Sequence, residues 1–203
     1  MTKKRKDISD YIYHWCKSED RDLKESFDSL LSILKSNFIC GSHAHTVKGC
    51  SDSVICFSET PFVEVLDGNF GRYMPFGIAF SKKTIFDMGG RHVIYQSEND
   101  LENTPANMHW RHVTYNPLNN NTDNWRDFTW EREWRLKTEF LDLNLSIMVI
   151  VVPSNEWKEK LLDHYKEFSE LMNYVDVEIL GAIEGYTPEV PLVMIDSLEN
   201  KKN

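Results

Sequence analysis

The sequence predicts an α+β fold in one domain: a mixed, mostly antiparallel sheet with flanking helices. Three observations carry that prediction. Runs with strand-like alternation outnumber runs with helical spacing, and their order is not a regular βαβ repeat. The 203 residues suit one domain spanning 1–203, and no linker, internal repeat or low-complexity tract divides them. Apolar residues make up 41% and aromatic residues 12%, which is enough for a sizeable core and too much for a disordered chain.

The elements follow in chain order. Tyr11–Cys16 alternates aromatic or apolar with polar residues and reads as a strand. Lys17–Lys24 is charged and reads as a loop or helix start. Phe27, Leu30, Leu31 and Leu34 have helical spacing, and Asn37 can end that helix in a left-handed cap. Phe38–Cys40 is extended, and Gly41–Asp52 reads as a polar loop. Val54–Phe57 is a strand, stopped near Pro61. Phe76–Phe80 is another strand, followed by a short helix over Lys82–Met88 that Gly89-Gly90 stops. His92–Gln96 reads as one strand, and Ser97–Asn124 as a long connection. Phe128–Lys137 alternates like a strand, and Ser146–Val152 is a central apolar strand. Asn155–Tyr174 is a patterned helix, and Val175–Ile183 and Leu192–Ile195 are late strands.

The formal net charge is -9, so the overall field does not draw in nucleic acid. The basic run Lys3-Lys4-Arg5-Lys6 reads as part of a loose tail over residues 1–7, matched by a loose tail over 197–203. No apolar run approaches the roughly 18 residues of a membrane span. No apolar stretch follows the N-terminal charges, so no secretory signal is expected. Four Cys in a chain this long do not make a disulfide framework, and a reduced, cytoplasmic protein is expected.

Five blocks stand out: Cys56-Phe57-Ser58-Glu59-Thr60-Pro61, Tyr73 to Lys82, Arg91 to Gln96, Trp110 to Val113, and Phe128 to Arg135. In order and approximate spacing they resemble the AbiGi family of bacterial abortive phage-resistance proteins, from about Ile8 to the segment before Trp157. That resemblance implies a role in phage defence, as an abortive-infection or antitoxin component, and supplies no chemistry. A second resemblance is one of architecture. Tyr13-His14-Trp15 followed by the helix from Phe27 to Leu34 is similar to the opening of DarT-type ADP-ribosyltransferases. That group carries His or Arg on its first strand, Ser or Tyr on a middle strand and Glu on a late one. His14, Ser58 and Glu133 occur in that order, with Tyr73 or Tyr95 as alternatives for the middle place.

The densest candidate chemistry is Glu131-Arg132-Glu133. On a strand, Glu131, Glu133 and Arg135 would share a face, opposite Trp130, Arg132 and Trp134. Two carboxylates side by side repel unless a ligand or a cation uses them. In an ADP-ribosyl transfer Glu133 would hydrogen-bond a ribose hydroxyl and stabilise the charge that develops as nicotinamide leaves. Glu131 would orient or deprotonate the acceptor. The plain alternative is a solvated strand face with Arg135 paired to Glu133. His14 would donate to a ribose hydroxyl, or sit at the core edge on a backbone partner. Ser58 would contact the cofactor or cap a turn. Tyr73 or Tyr95 would face the nicotinamide ring. Arg91, after Gly89-Gly90, would admit a phosphate or simply enter a strand.

Zinc at Cys40, His43, His45 and Cys50 is not expected, because their spacing lacks the usual paired knuckle. Cys16 and Cys56 read as buried thiols, and no local motif supports a Cys/His nucleophile. Trp110, Trp125, Trp130 and Trp134, interleaved with Arg111, Arg126, Arg132 and Arg135, could stack bases but read better as core with Arg rims.

The function expected is an abortive-infection protein with an ADP-ribosyltransferase-like site. It would bind NAD and either transfer ADP-ribose to a protein or nucleic acid or hydrolyse NAD. The rival is a non-catalytic antitoxin or interaction module that neutralises a cognate toxin through its Glu/Arg/Trp face. A metal-dependent nuclease is weaker, because no metal-spaced acids accompany Glu131 and Glu133.

Overall fold

A computed structural model describes residues 9–18, 20–43, 51–60, 73–117, 127–143, 148–168 and 177–181. Its strands are β1 (Tyr11–Lys17), β2 (Phe38–Cys40), β3 (Ser42–His43), β4 (Ser53–Ser58), β5 (Tyr73–Ser81), β6 (Arg91–His92), β7 (Ile94–Gln96), β8 (His112–Thr114), β9 (Glu133–Lys137), β10 (Phe140–Asp142), β11 (Met148–Val152) and β12 (Val177–Gly181). Its helices are α1 (Leu23–Ser36), α2 (Lys82–Asp87), α3 (Glu98–Leu101) and α4 (Asn155–Phe168), with 3-10 turns at Ala106–Arg111 and Thr129–Glu131.

The class is α+β, with mostly antiparallel pairing. One eight-stranded sheet runs β12-β11-β5-β1-β4-β9-β6, with β3 added on β4. Only β11 and β12 pair in parallel within it. Two small ladders, β10-β2 and the parallel β7-β8, stand apart.

Period-two alternation sends the strands' side chains to two different environments. One face carries Ile12, Ile55, Phe57, Phe76, Ile78, Phe80, Trp134, Leu136 and Ile150, and α1 and α4 cover it. From α1 come Phe27, Leu30, Leu31 and Leu34, the positions that sequence spacing predicts. From α4 comes Trp157, 5.0 Å from the Phe27 ring and 5.1 Å from Phe76. The opposite face holds Tyr13, Trp15, Tyr73, Ala79, Val149 and Val151, with Tyr11 and Trp130 at its margin.

An N-terminal cap explains why α1 begins at Leu23, one turn before its first buried apolar residue, Phe27. The Asp22 carboxylate accepts the amides of Lys24 and Glu25, satisfying donors that have no partner inside the helix. At the other end Asn37 adopts the left-handed conformation (φ 61°), as its type suggested. Gly77 is required where β5 crosses β1. A Cβ there would meet the His14 carbonyl at 2.5 Å.

Four expectations are corrected. Gly41–Asp52 is not all loop, for β3 pairs Ser42 with Val54 and His43 with Ser53 on β4. Phe128–Lys137 is not one strand: a 3-10 turn ends at Arg132, which is left-handed (φ 44°), and β9 begins only at Glu133. Far-off hydroxyls hold that break, since Ser58 Oγ donates to the Glu131 carbonyl (2.7 Å) and Thr60 Oγ1 to the Trp130 carbonyl (2.6 Å). His92–Gln96 is split as well. Arg91–His92 edges the large sheet on β9, while Ile94–Gln96 pairs with β8. Between them the Val93 amide donates to the Glu133 carbonyl (3.0 Å). The long connection read over Ser97–Asn124 carries α3, a 3-10 turn and β8 in its described part, 97–117. The two tails, Leu192–Ile195, His45, Cys50, Trp125 and Arg126 lie outside the described residues.

Candidate active site

Strand register decides which of the predicted residues can meet. Tyr13 pairs with Ser58, and Ser58 pairs with Glu133, so these three stand in one row across β1, β4 and β9. His14 is one residue off that row. Alternation therefore places it with Ile12 and Cys16 on the helix-covered side, opposite Glu133. Its ring meets Phe57 edge-on at 6.1 Å, and its Nδ1 lies 2.9 Å from the Cys56 carbonyl. A carbonyl can only accept, so Nδ1 carries the proton. Burial holds the imidazole below its ordinary pKa, with the Lys17 charge adding to the effect. Neutral His14 thus offers Nε2 as an acceptor, the reverse of the donor role expected for it.

β1 and β4 pair through Tyr13 and Ser58 alone. Beyond that pair lies a cavity of about 110 Å³ whose walls include His14, Lys17, Cys56, Ser58 and Tyr73. Three of the predicted cofactor contacts, His14, Ser58 and Tyr73, therefore share one cavity. Tyr73 joins it to the acids, because its hydroxyl donates to Glu131 Oε2 at 2.7 Å. Burial and the neighbouring Glu131 push the Tyr73 phenol well above its ordinary pKa, so it remains a donor. Lys17 stands over the Tyr73 ring, 5.1 Å from its centre.

Glu131 reaches the cavity only through Tyr73 and does not line it, and neither does Glu133. Glu133 Oε1 accepts from Arg135 Nε at 2.7 Å, and both side chains are buried. Arg135 also donates from Nη1 to the carbonyls of Trp110 (2.8 Å) and His112 (3.0 Å). This settles the pairing of Arg135 with Glu133 foreseen as the plain alternative, in a buried rather than a solvated setting. Glu131, on the preceding turn, is only half-buried. The break at Arg132 removes the shared-strand argument that placed the two acids on one face.

The remaining candidates separate. Ser58 Oγ donates to the Glu131 carbonyl and accepts from the Thr60 amide (3.0 Å), so it holds the turn as well as lining the cavity. Tyr95 accepts the Glu133 amide at 2.9 Å, and burial raises its pKa. Arg91 donates to the carbonyls of Phe86 (2.8 Å) and Gly90 (2.7 Å) and lies over the Phe86 ring, away from the seam. Burial, with Glu133 beside it, pushes the Cys56 thiol up to about 12, which removes it as a nucleophile. Trp110 and Trp134 are core residues. Cys40 and His43 are described, and no group of three metal-ligating side chains occurs among the described residues.

Sequence reasoning missed a second buried carboxylate. Glu59, 6% exposed, accepts from Lys82 Nζ (2.5 Å) and Trp134 Nε1 (3.0 Å), with His92 Nε2 at 3.7 Å. Its place directly after the β4 run is the only signal of it in the sequence. Among the described residues no helix is long and apolar enough to cross a membrane. No known protein family, curated protein or solved structure matches the chain.

Proposed function

We propose that the protein acts in defence against phage and that the seam between β1 and β4 is an ADP-ribosyltransferase-like NAD site. Its reaction is transfer of ADP-ribose to a macromolecule or hydrolysis of NAD. The observation that carries this reading is the meeting of His14, Ser58 and Tyr73 at one cavity, with the Glu131 carboxylate on the Tyr73 hydroxyl. The blocks that resemble the AbiGi family support the defence role, and the cytoplasm is its proposed place.

The donor set fits part of NAD. A cavity of about 110 Å³ is smaller than the roughly 300–1,000 Å³ that encloses a whole ligand, so one ring enters and the rest lies across the rim. Tyr73 is the aromatic wall for that ring. His14 Nε2 accepts from a ribose hydroxyl. Lys17 supplies the cation for a phosphate. Glu131 takes the carboxylate role first given to Glu133, because Glu133 is held by Arg135. Bound NAD would bring the glycosidic bond that breaks, and a fixed carboxylate beside it stabilises the positive charge that develops.

The test is thermal melting with millimolar NAD, followed by assay of nicotinamide release. NAD is expected to raise Tm, Glu131→Gln to abolish release, and Glu133→Gln to lower Tm in the absence of NAD. No rise in Tm together with no release would overturn the reading. The second reading, an antitoxin-like module, is favoured by one observation: each acid already has a partner inside the fold. Co-purification of a cognate toxin from its own operon, in a complex that survives excess NAD, would favour it.

A further inference from the structure

A second, larger cleft lies elsewhere. It measures about 820 Å³ and is lined by Tyr95, Gln96 and Thr114 to Pro117 from the β7-β8 ladder, together with Ser97 to Asp100 at the start of α3. That volume falls within the range of ligand-binding clefts. Tyr95 pairs with Val113 in the parallel ladder, and Tyr115, directly after β8, is held beside it by its amide, which donates to the Gln96 carbonyl (2.9 Å). The face of the ladder opposite Tyr95 is engaged internally. Gln96 Nε2 reaches Thr104 Oγ1 (3.0 Å) and His112 Nδ1 (3.2 Å), and Thr114 Oγ1 reaches His112 Nε2 (3.2 Å). The cleft has two phenol rings, the amide of Asn99, and the exposed carboxylates of Glu98 and Asp100, the latter also accepting from Ser97 Oγ (2.7 Å). No Lys, Arg or His lines it.

Its chemistry excludes one class of partner. A nucleic acid would bring phosphates against two carboxylates with no cation to receive them. A Lys or Arg side chain meets the opposite situation: ring faces for cation–π contact, carboxylates for charge-assisted hydrogen bonds, and an amide for its backbone. We propose that this cleft binds a basic segment of a partner polypeptide. The site is distinct from the seam, and Tyr95 connects the two regions, since its hydroxyl holds the amide of Glu133. The inference does not depend on NAD.

Isothermal titration of the full chain with hexa-arginine, in the absence of NAD, tests it. Hexa-glutamate and maltohexaose are the comparison probes. Binding is expected for hexa-arginine alone. Glu98→Gln on the exposed side of α3 is expected to weaken it about tenfold, the factor that follows from loss of one charge-assisted contact. Tyr115→Ala is expected to weaken it as well. Glu139→Gln, an exposed acid on the turn between β9 and β10, is expected to leave it unchanged. Equal weakening by Glu139→Gln would mean diffuse attraction to an acidic protein. Comparable binding of maltohexaose would mean a site for neutral hydroxyl-rich ligands. Either result, or no binding of hexa-arginine, overturns the proposal. A failure of NAD to bind leaves this measurement untouched.

Discussion

The two faces of β9 are built on different physics. Trp134 and Leu136 point into the helix-covered core and are held by apolar contact. Glu133 and Arg135, their immediate neighbours in the chain, are as deeply buried but are held by charge and directed hydrogen bonds. Apolar burial is additive and tolerant, worth about 25 cal/mol per Å² wherever it occurs. A buried ion pair is conditional: removing either partner leaves a charge that water can no longer reach. The first face makes the domain hold together, and the second ties β9 to the carbonyls of Trp110 and His112.

The largest expected effect tests that difference directly. Arg135→Met keeps bulk but strands Glu133, and also releases the carbonyls of Trp110 and His112. A loss of about 3–5 kcal/mol is expected by chemical denaturation. Adding Glu133→Leu to it should recover much of that loss, because the uncompensated charge is gone. The two carbonyls keep the recovery incomplete. A double variant no more stable than Arg135→Met would mean that the pair contributes little by its charge. The contrast with the other face would then fail.

A smaller effect concerns the turn. Ser58→Ala removes the donor to the Glu131 carbonyl and the acceptor of the Thr60 amide at a buried position. The expected loss is about 1–3 kcal/mol. Because the same turn carries Glu131, any NAD-dependent rise in Tm should shrink with it. Retention of full NAD response alongside lost stability would separate the turn from the site.

What could be read in advance followed the range of the interactions. Helix α1 was legible from the spacing of Phe27, Leu30, Leu31 and Leu34 and from Asn37, because its causes lie within one or two turns. The break at Arg132 was not, because the hydroxyls that hold it sit more than 70 residues earlier, at Ser58 and Thr60. Alternation from Phe128 to Lys137 is genuine in the sequence and simply does not govern the backbone there. The same holds for the site. Residue order offered His14, Ser58 or a Tyr, and Glu133 as one set; His14, Ser58 and Tyr73 line one cavity and Glu133 does not. Residue order could not show that Tyr13, rather than His14, falls in register with Ser58 and Glu133. A register offset of one residue exchanges the faces of a strand, and only pairing fixes it.

The smallest expected effect sharpens the position of His14. Burial holds its folded pKa below the ordinary 6.5, so the folded protein binds that proton less readily than the unfolded chain. The difference in bound protons grows as pH falls through the unfolded value. The contribution of neutral His14 is therefore full above about pH 7 and is lost progressively towards pH 5. With an unfolded pKa near 6.5, linkage limits the loss over that interval to less than about 2 kcal/mol. His92 and His112 are also lowered by burial, so the wild type should show a steeper acid slope than one group explains. His14→Gln can still donate to the Cys56 carbonyl and does not titrate. Its Tm should fall less between pH 7 and pH 5 than that of the wild type. Equal slopes would mean that His14 charges freely in the folded protein. A freely charging imidazole needs water around it, and the seam between β1 and β4 would then be a wet groove rather than a desolvated pocket for a ring.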